Sequence, residues 1–189
     1  MQVLNEEEYL CAYGSLRDLF HMTVPNRSAE ILDVACGTSM LLRGLSNDGY
    51  TCLTGLDHDQ LVLDWAQINI RAKIDWVCGE AWNPPFPPNT FDCIITKGLF
   101  NMSLVLGDIC TAVDIIHSIH TLLKPGGIFF TIVELPADLL QPLFLNTALD
   151  WNMIEFRTEV LQGDYVSDKA HGLGQFVIAI LQKRRFTSS

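Results

Sequence analysis

Short, unbroken apolar runs alternate along this chain with longer stretches of helical spacing. EILDVA, TCLTGLD, IDWVCG, FDCIITKG and IFFTIVEL read as buried strands, each short, apolar on both faces and bounded by turn signals. Between them the spacing predicts helices over about 39–47, 60–72, 108–123 and 138–149. An earlier helix is expected over 5–22, where NEEE puts carboxylates in the first turn, at the positive end of the helix dipole. KPGG reads as a turn. WNPPFPPNT (82–90) reads as a loop, since proline removes backbone donors and restricts the residue before it.

The last two runs, MIEFRTEVLQ and GQFVIAILQK, have no helical stretch between them and are expected to pair antiparallel at one edge. Strands alternating with helices imply an α/β fold with a doubly wound, mostly parallel sheet covered on both faces. The expected outline is five βα units followed by an antiparallel C-terminal hairpin, seven strands in all.

Composition narrows the partners. With 189 residues, 49% of them hydrophobic, the chain suits one domain with a substantial core. A formal net charge of −10 argues against nucleic acid, whose affinity comes mainly from neutralised phosphates, and favours a small molecule or a basic patch on a protein. No apolar run approaches the roughly 18 residues of a membrane span. The acidic start resembles neither a secretory signal nor a transit peptide, so a cytoplasmic protein away from membranes is expected. KRR at 183–185 reads as a solvated strand end. Six cysteines lie scattered in apolar runs without zinc-type spacing and read as small buried hydrophobes. His117 and His120 stand three apart on a predicted helix, but no Asp, Glu or Cys joins them, so no metal site is expected.

Candidate chemistry begins where the first strand turns into a helix, at Asp33-Val34-Ala35-Cys36-Gly37-Thr38-Ser39. In a doubly wound sheet, ligands lie beyond the carboxyl ends of the strands, where the strand order reverses. A dinucleotide turn needs G-x-G-x-x-G, and here Ala35 and Met40 replace the first and third glycines. A phosphate-binding Walker loop needs a lysine that is absent from this turn. Neither phosphate reading survives. Asp57 ends the second strand, 57 − 37 = 20 residues after Gly37, an offset from which a carboxylate reaches the ribose hydroxyls of an adenosine-containing ligand. His58 borders the ribose by position, and Glu80-Ala81 ends the third strand where an adenine edge is read.

These segments resemble class I S-adenosylmethionine-dependent methyltransferases over nearly the whole chain. ILDVACGTS is similar to the family's first motif, LTGLD to its acidic second strand, GEA to the adenine-side motif, FDCII to the fourth strand and LLKPGGIFF to the turn into the fifth. The resemblance implies S-adenosylmethionine as cofactor, in a Rossmann-like domain with a helical cover (1–26), a cofactor-binding half (27–135) and a substrate-side half (136–189). Such a cofactor carries no phosphate, so its turn needs only small residues that let the methionine part approach the backbone. Ala35, Gly37 and Ser39 supply that clearance, and Ser39 also suits an N-cap. The implied cofactor set is Asp33, Ala35, Gly37, Ser39, Asp57, His58, Glu80, Ala81 and Thr96.

Within the class, CGTSMLLRGLSNDGY, TKGLFNMSL, YGSLRDLF and the final W…FVIAILQK are most similar to a group that includes lysine methyltransferases of translation elongation factors. That likeness implies a protein lysine or small amine as methyl acceptor. The group carries Asp-Lys-Gly at the end of the fourth strand, whereas this chain reads Thr96-Lys97-Gly98. Thr96 and Glu134 are the candidate catalytic residues, with Tyr13 and Lys97 on the substrate side. Tyr9 and Tyr13 on the first helix either pack it or cover the cofactor from it, and Trp82 walls the adenine or anchors its loop. Two alternatives stand beside this reading. One is an aminopropyltransferase using the decarboxylated cofactor, for which an Asp pair after the fourth strand is lacking. The other is a non-catalytic partner subunit of the same fold.

Overall fold

The computed structural model describes residues 10–101, 108–145, 149–160 and 175–185. In chain order the elements are α1 (Tyr13–Thr23), β1 (Glu30–Val34), α2 (Met40–Asn47), β2 (Cys52–Asp57), α3 (Gln60–Asn69) and β3 (Asp75–Cys78). Then follow β4 (Phe91–Lys97), α4 (Ile109–Leu122), β5 (Leu123–Val133), α5 (Ala137–Leu145), β6 (Trp151–Val160) and β7 (Gln175–Lys183). The strands form one seven-stranded sheet in the order β3-β2-β1-β4-β5-β7-β6. β1 to β5 are parallel where they pair, and β7 runs antiparallel to both β5 and β6. The order therefore reverses between β1 and β4, and the expected hairpin lies at the edge.

The strands' double-sided apolarity is used in full. One layer of the core joins Leu16, Leu19 and Phe20 of α1 and Leu41, Leu42 and Leu45 of α2 to Ile31, Cys93, Ile95 and Phe130 of the sheet. The other packs Ile115, Ile116 and Ile119 of α4 and Leu140 and Phe144 of α5 against Leu32, Ile94, Phe129 and Val133. Among the described residues no helix is long and apolar enough to cross a membrane.

Three departures from the expected outline have local causes. Leu10 adopts a left-handed φ of 67°, residues 10–12 are not helical, and the first helix begins at Tyr13; the expected residues 5–9 of it lie outside the described chain. KPGG is no turn between elements but a bulge within β5, facing Asp92 between the pairs Phe91↔Leu123 and Cys93↔Ile128. Gly126 supplies a φ of 86° there, and a Cβ on Gly127 would lie 2.9 Å from the Lys124 carbonyl oxygen. The crossover from β3 to β4 has no helix, so the expected five βα units are four. Its prolines leave a loop whose Phe86 packs edge-on to Phe91 at 5.1 Å and covers that face instead.

α1 is latched to the C-terminal end of α2. A Cβ on Gly44 would sit 2.3 Å from the Tyr13 ring, so only glycine lets the two helices approach this closely. Asp48, the C-cap of α2, accepts from the Tyr13 hydroxyl at 2.7 Å and from Arg17 Nε and Nη2 at 2.8 and 2.7 Å, with His21 Nε2 at 3.0 Å. Burial alone would raise the Asp48 carboxyl, but hydrogen bonds from Arg17 and Tyr13 and the Arg17 charge outweigh it and hold it below its ordinary value.

Candidate active site

The carboxyl ends of β3, β2, β1, β4 and β5 lie in one row, and just beyond the strands β3 and β1 are fastened to β2, and β4 to β5. Gly79 N donates to the Asp57 carbonyl at 2.9 Å, Cys36 N to the Leu56 carbonyl at 3.0 Å and Gly98 N to the Ile132 carbonyl at 2.8 Å. Glu134 N donates to Asn101 Oδ1 at 3.0 Å. The row is thus two fastened groups, β3-β2-β1 and β4-β5, that meet where the strand order reverses.

At its centre the turn after β1 enters the left-handed region three times, with φ of 56° at Ala35, 55° at Gly37 and 42° at Ser39. Such φ values cost non-glycine residues roughly 1–2 kcal/mol each, so the surroundings must hold Ala35 and Ser39 in place. Ser39 is held from two sides: its hydroxyl donates to Asp33 Oδ2 at 2.9 Å and accepts from Leu42 N at 3.3 Å. Asp33, itself buried, therefore acts on the site through Ser39. The Cys36 side chain turns away from the rim into the packing. Its sulfur lies 3.0 Å from where a Cβ on Gly55 would stand, with Trp76 on the other side of that gap. Burial, then the charges of Asp33 and Asp57, push the Cys36 thiol far up, so it stays protonated and inert.

Asp57 Oδ2 accepts the Gly37 N–H at 2.8 Å, while Oδ1 accepts the Asp59 N–H at 3.0 Å and faces His58 Nδ1 at 3.3 Å. Asp59 goes on to cap α3 through Leu61 N. Each Asp57 oxygen retains a lone pair beyond its backbone bond, so the carboxylate can hold the turn and two ribose hydroxyls at once. Above the turn a Cβ on Gly37 would meet nothing within 4 Å. An extended ligand can therefore lie against that backbone, and S-adenosylmethionine fits these residues. At the β3 end Glu80 is exposed and bridges Asn83, and Ala81 is half-buried against the α4 layer. The Trp82 carbonyl accepts from Ser118 Oγ at 2.7 Å, fixing the loop to α4, while the indole remains 49% exposed.

The acceptor side differs more from the sequence expectation. Thr96 is fully buried, and its hydroxyl donates to Thr131 Oγ1 at 2.7 Å, inside the layer beneath α4 rather than out at the strand end. Lys97 Nζ donates to the Cys11 carbonyl at 3.3 Å and so brings the segment before α1 across the end of β4. The Tyr13 hydroxyl is engaged by Asp48 at the far end of α2, about 13 Å of helix from the turn. Tyr9 lies outside the described residues. Glu134 stands one residue beyond β5, with Oε1 buried and without a hydrogen-bond partner among the described residues. Asn101, which fixes the Glu134 backbone, was not singled out from the sequence; an Asn three residues after Gly98 carries no distinguishing pattern.

The His120 ring packs edge-on to Trp151 at 4.8 Å, and no group of three candidate ligands occurs among the described residues. Lys183 turns back from the end of β7 to cap α4, donating to the carbonyls of His120 at 2.8 Å and Leu123 at 2.7 Å.

A doubly wound sheet with an antiparallel seventh strand inserted beside β5, and an acidic β2 end facing a small-residue turn, defines the Rossmann-like methyltransferase class. The description "methyltransferase domain" matches residues 31–127, half of the chain, and the chain belongs to that family. It is 29% identical, over 76% of its length, to the ubiquinone/menaquinone biosynthesis C-methyltransferase UbiE of Ruegeria sp., of which it covers 57%. It is 33% identical, over 55% of its length, to human methyltransferase-like protein 27, of which it covers 40%. The chain thus spans about half the length of these curated relatives. A SAM-dependent methyltransferase of Methanosarcina mazei shares the fold, with a TM-score of 0.73 and 16% identity over 88% of this chain and 97% of that one.

Proposed function

We propose that this protein transfers the methyl group of S-adenosylmethionine to an amine nitrogen, on a protein lysine or a small amine. The observation that carries the cofactor half is the Asp57–Gly37 hydrogen bond, which joins the ribose-binding position to the methionine-binding turn. In this reading Asp57 takes the ribose hydroxyls, Glu80 and Ala81 border the adenine, and Ala35, Gly37 and Ser39 give the methionine part its clearance. Asp33 positions Ser39, and His58 flanks the ribose at the surface. When bound, the sulfonium supplies an already activated methyl group, so the residues need only align a nucleophile with it and exclude water. The acceptor enters beyond β4 and β5, where Lys97 tethers the segment before α1. Thr96 supports that end from within the layer and takes no part in the chemistry.

The likeness to UbiE favours a second reading, in which the acceptor atom is the carbon of a small aromatic molecule. One experiment addresses both. The protein is incubated with methyl-labelled S-adenosylmethionine and a cell lysate, and protein and small-molecule products are resolved. Label on protein, or on a small amine, is expected. Label only on a neutral small molecule supports the second reading, and no transfer above background leaves the fold as a non-catalytic subunit.

A further inference from the structure

We infer that Glu134 is the acceptor-binding carboxylate of this site and that it selects a nucleophile bearing a nitrogen–hydrogen bond. The inference rests on the cofactor reading above. Four observations carry it. Glu134 follows Val133, the last residue of β5, and β5 is the next strand after β4 in the row of carboxyl ends. Two strand spacings, about 10 Å, separate it from the turn over which the methionine part passes.

Its backbone is fixed from the β4 side: Glu134 N donates to Asn101 Oδ1 at 3.0 Å, and Asn101 N in turn donates to the Gly98 carbonyl at 3.1 Å. The side chain is therefore set on a rigid rim rather than on a free loop. Its Oε1 is buried yet accepts no hydrogen bond from the described residues. A buried carboxylate oxygen without a donor is costly, and a ligand that brings a donor relieves that cost. Finally, Thr96 at the end of β4 has its hydroxyl already used by Thr131. Glu134, at the end of the adjacent strand, brings a negative charge to the acceptor side. The net charge of −10 favours approach of a cation to the protein as a whole.

The step balances without a further reactant. An incoming ammonium gives one proton to Glu134 Oε1, and the freed nitrogen lone pair forms the N–CH3 bond. The S–CH3 bond breaks with its electron pair going to sulfur, leaving neutral S-adenosylhomocysteine and a methylated ammonium. The proton on Glu134 passes to solvent when the product leaves.

The test needs no knowledge of the acceptor. Sinefungin is an analogue of S-adenosylmethionine in which an amine-bearing carbon replaces the methylated sulfur, so it presents an ammonium where the methyl group sits. Sinefungin and S-adenosylhomocysteine are titrated calorimetrically at pH 7 into the wild-type protein and Glu134→Gln. The wild type should prefer sinefungin by about tenfold or more, and Glu134→Gln should reduce that preference to within about twofold while binding S-adenosylhomocysteine as before. An equal preference in both proteins would overturn the role of Glu134 and leave the cofactor site intact. If neither analogue binds the wild type, the cofactor reading fails, and the inference falls with it.

Discussion

The Asp57 carboxylate holds the Gly37 backbone N–H at 2.8 Å, so the acidic end of β2 and the turn after β1 form one structural unit. A residue chosen for the ribose is also a strut for the methionine turn. Asp57→Ala should therefore weaken S-adenosylmethionine binding by more than its ribose contacts alone, with at least about 1.5–3 kcal/mol lost for hydrogen bonds to a charged group. It should also lower the melting temperature without ligand. Asp57→Asn keeps one acceptor for Gly37 but turns its amide NH2 toward the Asp59 N–H, so it should lose affinity while retaining more of the melting temperature than Asp57→Ala. Calorimetry and thermal unfolding of the two variants check this, and equal melting temperatures for Ala and Asn would remove the strut.

Ser39 combines an N-cap with a left-handed φ, and these two features rank its substitutions. Ser39→Ala removes the cap and the hydrogen bond to Asp33 and keeps the strained Cβ, and should cost about 1–2 kcal/mol. Ser39→Gly loses the same hydrogen bonds but relieves the strain at φ 42°, and should cost clearly less. Urea unfolding of both gives the order. Alanine at least as stable as glycine here would contradict the geometry.

Asp48 gathers Tyr13, Arg17 and His21 of α1. Asp48→Ala should leave the sheet intact and raise hydrogen exchange and protease cleavage over residues 13–23, the span of α1. The pH dependence has a definite sign. A carboxyl held below its ordinary value in the folded protein stabilises above its unfolded pKa of about 3.9 and loses that contribution as pH falls through the folded value. Docking of α1 should therefore weaken in acid, and in Asp48→Ala the protection of α1 relative to the unstructured exchange rate should no longer fall with acidification.

His120 predicts a second pH response, at the opposite end of the sheet. Burial, and then the Lys183 charge, lower its pKa from 6.5 to about 4. The unfolded chain thus takes up this proton first, and stability should fall as pH drops from 6.5 towards 4 and be flat with respect to this residue above that window. In His120→Gln the difference in urea midpoint between pH 7 and pH 5 should shrink. An unchanged difference would show that the imidazole is not held neutral.

How much of this was legible in the sequence follows from which interactions are local. Strand runs such as EILDVA and TCLTGLD announce themselves because burial on both faces leaves no polar alternation, and Asp59 and Asp108 sit where helix caps are needed. The prolines of 82–90 forbid a helix and none forms. KPGG misleads because the same residues suit a turn or a bulge, and only the pairing of Asp92 opposite them distinguishes the two. At the site, Gly37 and Asp57 were readable from spacing, but their hydrogen bond was not, since it joins residues twenty apart through a backbone amide. Thr96 was only half legible. Its strand position was evident, but whether its hydroxyl faces the rim or Thr131 depends on the face it shares with Ile94, which a strand buried on both sides does not encode.

The most direct measurement of the central claim is hydrogen–deuterium exchange of the protein with and without S-adenosylhomocysteine. Ligand should slow exchange in three segments together, 35–39, 57–59 and 79–82, which are the turns beyond β1, β2 and β3. Exchange in α5 and β6 should not change. Protection elsewhere, with these three turns unaffected, would contradict the account.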